Sequence, residues 1–223
     1  MKNNSFPKAF LFDFDGVVVD SFEVHYRAWK SAFYKLFQEE IPPFPHEKLA
    51  GKSPLLIAEY FCNTLGQAER ALELHLLKAT HLHAGTTPPT LLPGVREIQG
   101  FLAAQNIPHG IASNATKAFL TNSITQLSLG FTTWFGVEDY VYPKPHPEAY
   151  ISLAKKLGIE KKDFENTWVF EDSLAGTTAA KKAGMVPIGI LTVCSEAELK
   201  AAGSQFIFPT LQEAYEYLQE KNR

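Results

Sequence analysis

The sequence predicts an α/β fold, with a parallel sheet as its core and one inserted helical segment. Three observations in the 223-residue chain support this prediction. A short apolar pattern typical of a buried strand lies near the N-terminus, and the segment up to about residue 87 then contains helical patterns and no strand pattern. From there to the C-terminus, strand and helix patterns alternate, which favours a parallel sheet with helices on both faces.

The first strand is predicted over residues 8–14 (KAFLFDF), because this short apolar run ends in acidic residues followed by Gly16. A helix should begin at Asp20 and Ser21, since both residue types are favoured helix N-caps. Five aromatic residues then recur at helical spacing: Phe22, Tyr26, Trp29, Phe33 and Phe37. This spacing predicts a helix whose aromatic face packs into a core.

Two more helices complete the insertion. The pattern over residues 53–66 begins with Ser-Pro, a favoured helix start, and ends at a glycine. A third helical pattern follows over residues 68–83. We therefore expect a helical domain over residues 20–87, inserted between two parts of a core domain, residues 1–19 and 88–223.

The remainder of the chain begins with a cluster of prolines and a glycine, which marks a return to the core. Four strands are predicted there, over residues 107–112, 167–170, 186–191 and 206–208. Helices are predicted over residues 95–105, 115–128, 147–157 and 174–183, with one more after the last strand. Ligands of such parallel sheets bind beyond the carboxyl ends of the strands.

Composition restricts the classes of partner. The net charge of −3 shows no excess of Lys and Arg, which argues against binding to nucleic acid or an acidic membrane surface. No apolar run approaches the roughly 18 residues typical of a membrane span, and residues 1–8 lack the apolar stretch of a signal peptide. Two cysteines, Cys62 and Cys194, suit a reducing compartment. We expect a cytoplasmic monomer that acts on a small molecule.

Polar side chains follow three predicted strands at the point where each strand ends. These are Asp13 and Asp15, Ser113 and Asn114, and Glu171 and Asp172. Because the carboxyl ends of parallel strands meet at one edge of a sheet, we expect all six to converge there.

The acidic residues of this set predict a metal site. Asp13 and Asp15 are two apart, so in a strand their carboxylates would lie side by side on one face and repel each other. A divalent cation would offset that repulsion, and Mg²⁺ prefers oxygen ligands such as those Glu171 and Asp172 would add. The alternative is a solvated turn with incidental acidic residues.

The polar and basic residues suggest a phosphate site. A hydroxyl and free amides at Ser113 and Asn114, before a predicted helix, suit a phosphate group, although the pair would equally suit a plain helix N-cap. Lys144 lies between two prolines that restrict its loop, and a phosphoryl group needs such a cation. The alternative for Lys144 is a solvated surface lysine.

Taken together, the segments FDFDGVVVDS, ASN, KPHPE and VFEDSLAGTTAAKKAGM resemble the four motifs of the haloacid dehalogenase-like hydrolases, over nearly the whole chain. The resemblance implies a Rossmann-like core with an inserted α-helical cap domain. It implies that Asp13 attacks phosphorus and forms an aspartyl-phosphate. Asp15 would then protonate the leaving oxygen and later deprotonate the hydrolytic water.

The resemblance also implies binding roles. Mg²⁺ would be held by Asp13, the backbone carbonyl of Asp15 and Asp172, with Glu171 as a direct or water-mediated ligand. The residues that would bind the phosphoryl oxygens are Ser113, Asn114 and Lys144. The cap would close over the site and exclude water.

Within the family, Asp20-Ser21 followed by His25 and Trp29 resembles the beta-phosphoglucomutase subgroup, which contains mutases and many phosphatases. His25 would contact substrate or help to seat Asp15, although a packed structural histidine is an equal alternative.

The segment Gly51-Lys52-Ser53 resembles the substrate loop of that subgroup's cap. The mutases carry an arginine just after it, where this chain has Pro54, so Lys52 is the cation left in the loop.

We therefore expect a Mg²⁺-dependent phosphatase that acts on a small phosphorylated metabolite, such as a sugar phosphate. The alternatives are a beta-phosphoglucomutase-type mutase and a non-catalytic binding protein on the same scaffold. A metal-free dehalogenase lacks the second aspartate, so Asp15 argues against it.

Overall fold

The structure is a computed structural model that describes residues 6–43, 45, 49, 52–84 and 87–222, with residues 83 and 84 described in their backbone only. Its strands are β1 (Ala9–Phe12), β2 (Val19–Asp20), β3 (Thr90–Leu91), β4 (His109–Ala112), β5 (Trp134–Phe135), β6 (Thr167–Glu171), β7 (Val186–Ile190) and β8 (Phe206–Phe208). Six of them form one sheet in the order β5-β4-β1-β6-β7-β8. Every pairing in this sheet is parallel, so the predicted α/β fold is confirmed.

Helices cover both faces of the sheet and also build the insertion. They are α1 (Phe22–Phe37), α2 (Pro54–Thr64), α3 (Ala71–Ala84), α4 (Val95–Ala104), α5 (Lys117–Gln126), α6 (Glu148–Lys156), α7 (Leu174–Lys182), α8 (Glu196–Ala202) and α9 (Leu211–Lys221). Short 3₁₀ helices lie at Ala68–Arg70, Val137–Asp139 and Lys161–Asn166. Each helix in the described part of the chain is too short or too polar to cross a membrane.

The central strand β1 sends alternate side chains to two hydrophobic clusters. Phe10 and Phe12 pack in the cluster that includes residues of α4, α5 and α9. Ala9 and Leu11 pack in the other cluster, with residues of α6 and α7. A strand that is buried on both faces consists of consecutive apolar residues. This pattern explains why the position of β1 could be predicted from the sequence.

The pairing of β1 with β6 brings two acidic segments together. Phe12 lies beside Phe170 in the register of these strands, and the backbone N–H of Asp13 donates to the carbonyl of Phe170 at 2.9 Å. Asp13 therefore leaves the sheet next to Glu171, the last residue of β6.

The inserted helices α1, α2 and α3 pack around their own hydrophobic cluster. Its large buried members include Trp29, Phe33, Phe61 and Leu74. The predicted aromatic face of α1 is thus found in a core, although Phe22 is exposed. The two chain connections to the insertion run side by side, because β2 pairs antiparallel with β3. The exact domain boundaries at residues 20 and 87 stay a prediction.

Several short elements were missed by the sequence analysis. Strands β2, β3 and β5 contain two residues each, which is too few to show a periodic pattern. Helix α8 was missed because only Leu199 among its residues is buried, so it presents almost no apolar stripe. The first strand was predicted too long: it ends at Phe12, so Asp13 and Asp15 lie beyond it.

Candidate active site

A cavity of about 410 Å³ lies where β1, β4 and β6 end, between the sheet and the inserted helices. It is lined by most of the predicted site residues: Asp13, Asp15, His25, Lys52, Ser113, Asn114, Lys144 and Asp172. Glu171 is fully buried and does not line it. The expected convergence at one edge of the sheet is therefore observed.

The turn after β1 determines how closely the chain can pack around Asp13. Gly16 has a φ of +78°, a conformation that glycine adopts without steric penalty. A Cβ atom at this position would lie 1.8 Å from Oδ2 of Asp172. The glycine thus lets the backbone of the turn approach the Asp172 carboxylate directly.

Asp13 is buried and lies against a cation. Nζ of Lys144 is 3.0 Å from its Oδ1. Burial and the nearby Glu171 carboxylate raise the pKa of Asp13 to about 7, despite the opposing charge of Lys144. A carboxylate under this repulsion is stabilised by further positive charge.

Three buried carboxylates close together create the need for this positive charge. Asp13, Glu171 and Asp172 each offer an oxygen atom, and these atoms lie within 4.8 Å of one another. Burial, together with the charges of Asp13 and Glu171, raises the pKa of Asp172 well above its usual range. A buried set of oxygen donors with excess negative charge fits a hard divalent cation such as Mg²⁺.

The expectation that Asp13 and Asp15 lie on a strand is wrong, because β1 ends at Phe12. Oδ1 of Asp15 accepts a hydrogen bond from Ser21 Oγ and lies 3.3 Å from His25 Nε2, and Oδ2 accepts one from Ser113 Oγ at 3.3 Å. The strand ends before both residues, and the turn at Gly16 directs the Asp15 side chain towards the inserted helices. The Asp15 carboxylate is therefore held by Ser21, His25 and Ser113.

The partners of Asp15 set its charge state. Burial alone would raise the pKa of Asp15, but the hydrogen bonds from His25 and Ser21 hold it below its usual range. The carboxylate is thus ionised and oriented in the absence of substrate.

Lys78 is a site residue that the sequence analysis missed. It lies on α3, is 3% exposed, and places Nζ 2.9 Å from Nδ1 of His25. The ammonium can only donate, so Nδ1 accepts and the ring proton is on Nε2, which faces Asp15. Lys78 lies four residues after Leu74 and four before Leu82, both buried. A lysine within an apolar stripe is the signal that would have identified it.

Ser113 and Asn114 do not cap the following helix, so their interpretation as a plain N-cap is wrong. Helix α5 begins at Lys117 and its N-cap is Thr116, whose side chain accepts from the backbone of Phe119. Asn114 instead connects two loops, because its Oδ1 accepts the backbone N–H of Lys144 at 3.1 Å and the hydroxyl of Tyr140 at 2.9 Å.

Lys144 is 2% exposed, so its interpretation as a solvated surface lysine is also wrong. Besides Asp13, its Nζ contacts Glu171 Oε1 at 2.7 Å and the hydroxyl of Tyr150 at 2.7 Å. Burial alone would lower the pKa of Lys144, but the carboxylates of Asp13 and Glu171 raise it. The lysine is therefore a fixed positive charge at the cavity wall.

A sequence model described as haloacid dehalogenase-like hydrolase matches residues 7–184 of the chain. The chain belongs to the haloacid dehalogenase-like hydrolase family. Beta-phosphoglucomutase of Bacillus subtilis (strain 168) is 29% identical over 197 residues, which are 82% of this chain and 83% of that protein. Hexitol phosphatase B of Escherichia coli (strain K12) is 30% identical over 184 residues, 79% of this chain and 80% of that protein.

The fold of this family is also found by comparison with solved structures. A crystal structure of beta-phosphoglucomutase from Clostridium difficile matches with a TM-score of 0.80 and 24% sequence identity, and the match covers 97% of each chain. At that identity the likeness shows the fold alone. It confirms the expected Rossmann-like core with an inserted helical cap, formed here by α1, α2 and α3.

The residues expected from the family's cap loop are only partly placed at the cavity. Lys52 and Pro54 line it, whereas Ser53 acts as the N-cap of α2 and is not among the lining residues. Gly51 lies outside the described residues. His25 lines the cavity and contacts Asp15, so both parts of its predicted role remain compatible with its position.

Proposed function

We propose that this chain is a Mg²⁺-dependent phosphatase that hydrolyses a small phosphorylated metabolite through an aspartyl-phosphate on Asp13. The observation that supports this most is the buried arrangement of Asp13 between a lysine and two further carboxylates. It combines a nucleophile, a cation for the phosphoryl oxygens and oxygen ligands for a metal within one wall of a cavity.

The metal would be held by Asp13, Asp172 and the backbone carbonyl of Asp15, with Glu171 nearby. Bound there, Mg²⁺ would offset the carboxylate charges and draw electron density from the phosphoryl oxygens. Lys144 would bind a phosphoryl oxygen and reduce the charge repulsion between Asp13 and the incoming dianion. Ser113 and the backbone amide of Asn114 would contribute hydrogen bonds to the same group.

Asp15 would carry the proton in both half-reactions. Without substrate its pKa is held low, which suits the base that deprotonates water in the second step. A phosphate dianion beside it would raise that pKa and favour the protonated form, which the leaving oxygen needs in the first step. The ring of His25 would orient the carboxyl group for both transfers, because its Nε2 lies 3.3 Å from Oδ1.

A sugar phosphate or sugar-alcohol phosphate is the proposed substrate class. The names of two relatives, a beta-phosphoglucomutase and a hexitol phosphatase, support it. The cavity away from Asp13 combines apolar walls, such as Trp29 and Ile57, with polar and charged groups, such as Asp20 and Lys52. A sugar presents apolar faces and hydroxyl edges, and both fit such a lining.

The relationship to beta-phosphoglucomutase makes a mutase the second candidate. A mutase must hold a second phosphate that does not react, and a planar arginine grips phosphate by two parallel hydrogen bonds. Among the described residues that line the cavity there is no arginine, and Pro54 lies where the family's mutases carry one. This arrangement favours the phosphatase.

The test is a panel of phosphorylated metabolites offered to the purified protein with Mg²⁺. Sugar and sugar-alcohol phosphates should release inorganic phosphate, and Asp13→Asn should abolish the release because an amide cannot form the acyl-phosphate. The panel includes β-glucose 1-phosphate with a trace of the 1,6-bisphosphate. Glucose 6-phosphate that accumulates much faster than free phosphate would instead establish the mutase. Substantial hydrolysis by Asp13→Asn would refute the proposed nucleophile.

A further inference from the structure

Tyr150 lies next to the reacting groups and has no role in the reaction described above. It is on α6, its side chain is fully buried, and its ring packs in the hydrophobic cluster between the sheet and α6 and α7. Its hydroxyl lies 2.7 Å from Nζ of Lys144 and donates a short hydrogen bond to Oε1 of Glu171. A polar group placed so deeply in a hydrophobic cluster has to be paired, and this hydroxyl is paired with two charged groups.

The Lys144 ammonium lies close to three oxygen atoms. These belong to Asp13 at 3.0 Å, Glu171 at 2.7 Å and Tyr150 at 2.7 Å. The Tyr150 ring also lies under the ammonium, with its centroid 4.5 Å from Nζ. A lysine side chain is flexible, and these contacts restrict its charge to one position.

Glu171 is held by the protein on both of its oxygens. Oε1 accepts from Tyr150 and Lys144, and Oε2 accepts from Ser173 Oγ at 3.0 Å. The backbone of α7 closes against it, since a Cβ atom at Gly176 would lie 1.7 Å from Oε1. A carboxylate has about four lone-pair positions, and protein donors occupy most of them here. The main partner of Glu171 is therefore the lysine, and about one lone-pair position is left for a metal.

We propose that Tyr150 is a positioning residue which, together with Glu171, holds the ammonium of Lys144 against Asp13. This inference rests on the proposed function, because phosphoryl transfer is the reaction that would use a lysine at that point. Tyr150 does not touch the reacting atoms, and it acts through the position of the lysine. Its hydroxyl both accepts from the ammonium and orients the carboxylate that the ammonium also contacts.

The substitution Tyr150→Phe removes the hydroxyl and keeps the buried ring. Groups that orient a functional residue typically contribute about 10–100-fold, so kcat on the best substrate of the panel should fall about tenfold. The Kd for Mg²⁺ alone, measured by calorimetry without substrate, should change by less than the about 10–100-fold that the loss of a metal-orienting group costs, because the hydroxyl acts on the lysine. Tyr217→Phe is the matched control, since Tyr217 packs against Trp168 and Phe206 and does not line the cavity.

A second measurement does not depend on activity. In protein labelled with ¹⁵N-lysine, ammonium groups that are buried and hydrogen-bonded exchange their protons slowly and remain visible by NMR. Among the described lysines, the buried ones are Lys78 and Lys144, so the signal that persists in Lys78→Met belongs to Lys144. This signal should shift or broaden in Tyr150→Phe and stay unchanged in Tyr217→Phe.

The outcomes separate this inference from the proposed function. A changed Lys144 signal in a protein that hydrolyses nothing on the panel would support the positioning role and remove the phosphatase assignment. An active Tyr150→Phe enzyme with wild-type kcat and an unchanged signal would overturn the positioning role and leave the phosphatase. A loss of kcat matched by an equal loss of Mg²⁺ affinity would also overturn it, because the hydroxyl would then act through the metal site.

Discussion

Lys78→Met should make the protein more stable at neutral pH and slow its reaction. Burial lowers the pKa of Lys78 from 10.5 to about 8. One pKa unit corresponds to about 1.4 kcal/mol, so keeping this lysine charged in the folded state costs about 3 kcal/mol. Methionine fills a similar volume and removes that cost, but it also removes a hydrogen bond to His25 that contributes about 1.5–3 kcal/mol. The expected net gain in the free energy of unfolding is about 1 kcal/mol at pH 7.

The pH dependence is the sharper part of this prediction. The folded pKa of Lys78 is lower than the unfolded one, so its destabilising effect is complete below pH 8 and disappears as the pH rises towards 10.5. The free energy of unfolding of wild type, relative to that of Lys78→Met, should therefore rise by about 2 kcal/mol between pH 7 and pH 9.5. Groups that do not interact with Lys78 titrate alike in both proteins and cancel in the difference. The charge of Lys78 lowers the pKa of Asp15, His25 and His75, so these three do not cancel fully.

The loss of activity has a separate cause. Without Lys78, Nδ1 of His25 has no donor that fixes the ring proton on Nε2, and the hydrogen bond to Asp15 is weakened. The rate should fall by at most about 10²-fold, the lower end of what general acid–base catalysis contributes.

Urea unfolding of the metal-free protein at pH 7 and 9.5, with kcat at pH 7, tests both effects. Lys30→Met is the control, because it makes the same chemical change at an exposed position of α1. Two results together would contradict this account. The free energy of unfolding of Lys78→Met would be more than about 1 kcal/mol lower than that of wild type at pH 7, and this difference between the two proteins would not change with pH.

Two further predictions concern the acidic residues. Asp15→Asn should lower kcat by about 10²–10⁴-fold in single-turnover kinetics, because an amide cannot carry the proton, and a loss below about tenfold would exclude that role. Asp172→Asn should raise the Mg²⁺ concentration needed for half-maximal activity at least tenfold, because the loss of a group that supports a metal site typically costs about 10–100-fold in metal affinity. The same change should raise the melting temperature of the metal-free protein, since it removes one of three mutually repelling buried carboxylates, and a lower melting temperature would contradict this electrostatic account.

The parts of the fold that were predictable are those with a local signal. Strands β1, β6 and β7 are buried along their whole length, so each appears in the sequence as an apolar run of strand length. Strands β2, β3 and β5 are defined by hydrogen bonds to neighbours distant in sequence, and two residues carry no pattern of their own. Their prediction would require the register of the partner strand.

The same distinction applies to the site. The order of residues along the chain was enough to place Asp13 and Asp172 at the same edge of the sheet, because the sheet is parallel and its carboxyl ends share one edge. The pairing of their two strands as neighbours is a result of the tertiary structure. The hydrogen-bond partners of Asp15 were not predicted, because they depend on where the strand ends and on how the turn at Gly16 is closed.

Contacts between distant segments were beyond the reach of the sequence. Lys78 and His25 are 53 residues apart and meet because α3 packs against α1, and Tyr150 reaches Glu171 because α6 packs beneath the sheet. In both cases a helix presents one polar group from its buried side. Periodicity determines that such a face is buried, whereas the packing of the helices in three dimensions decides which charged group the polar atom meets.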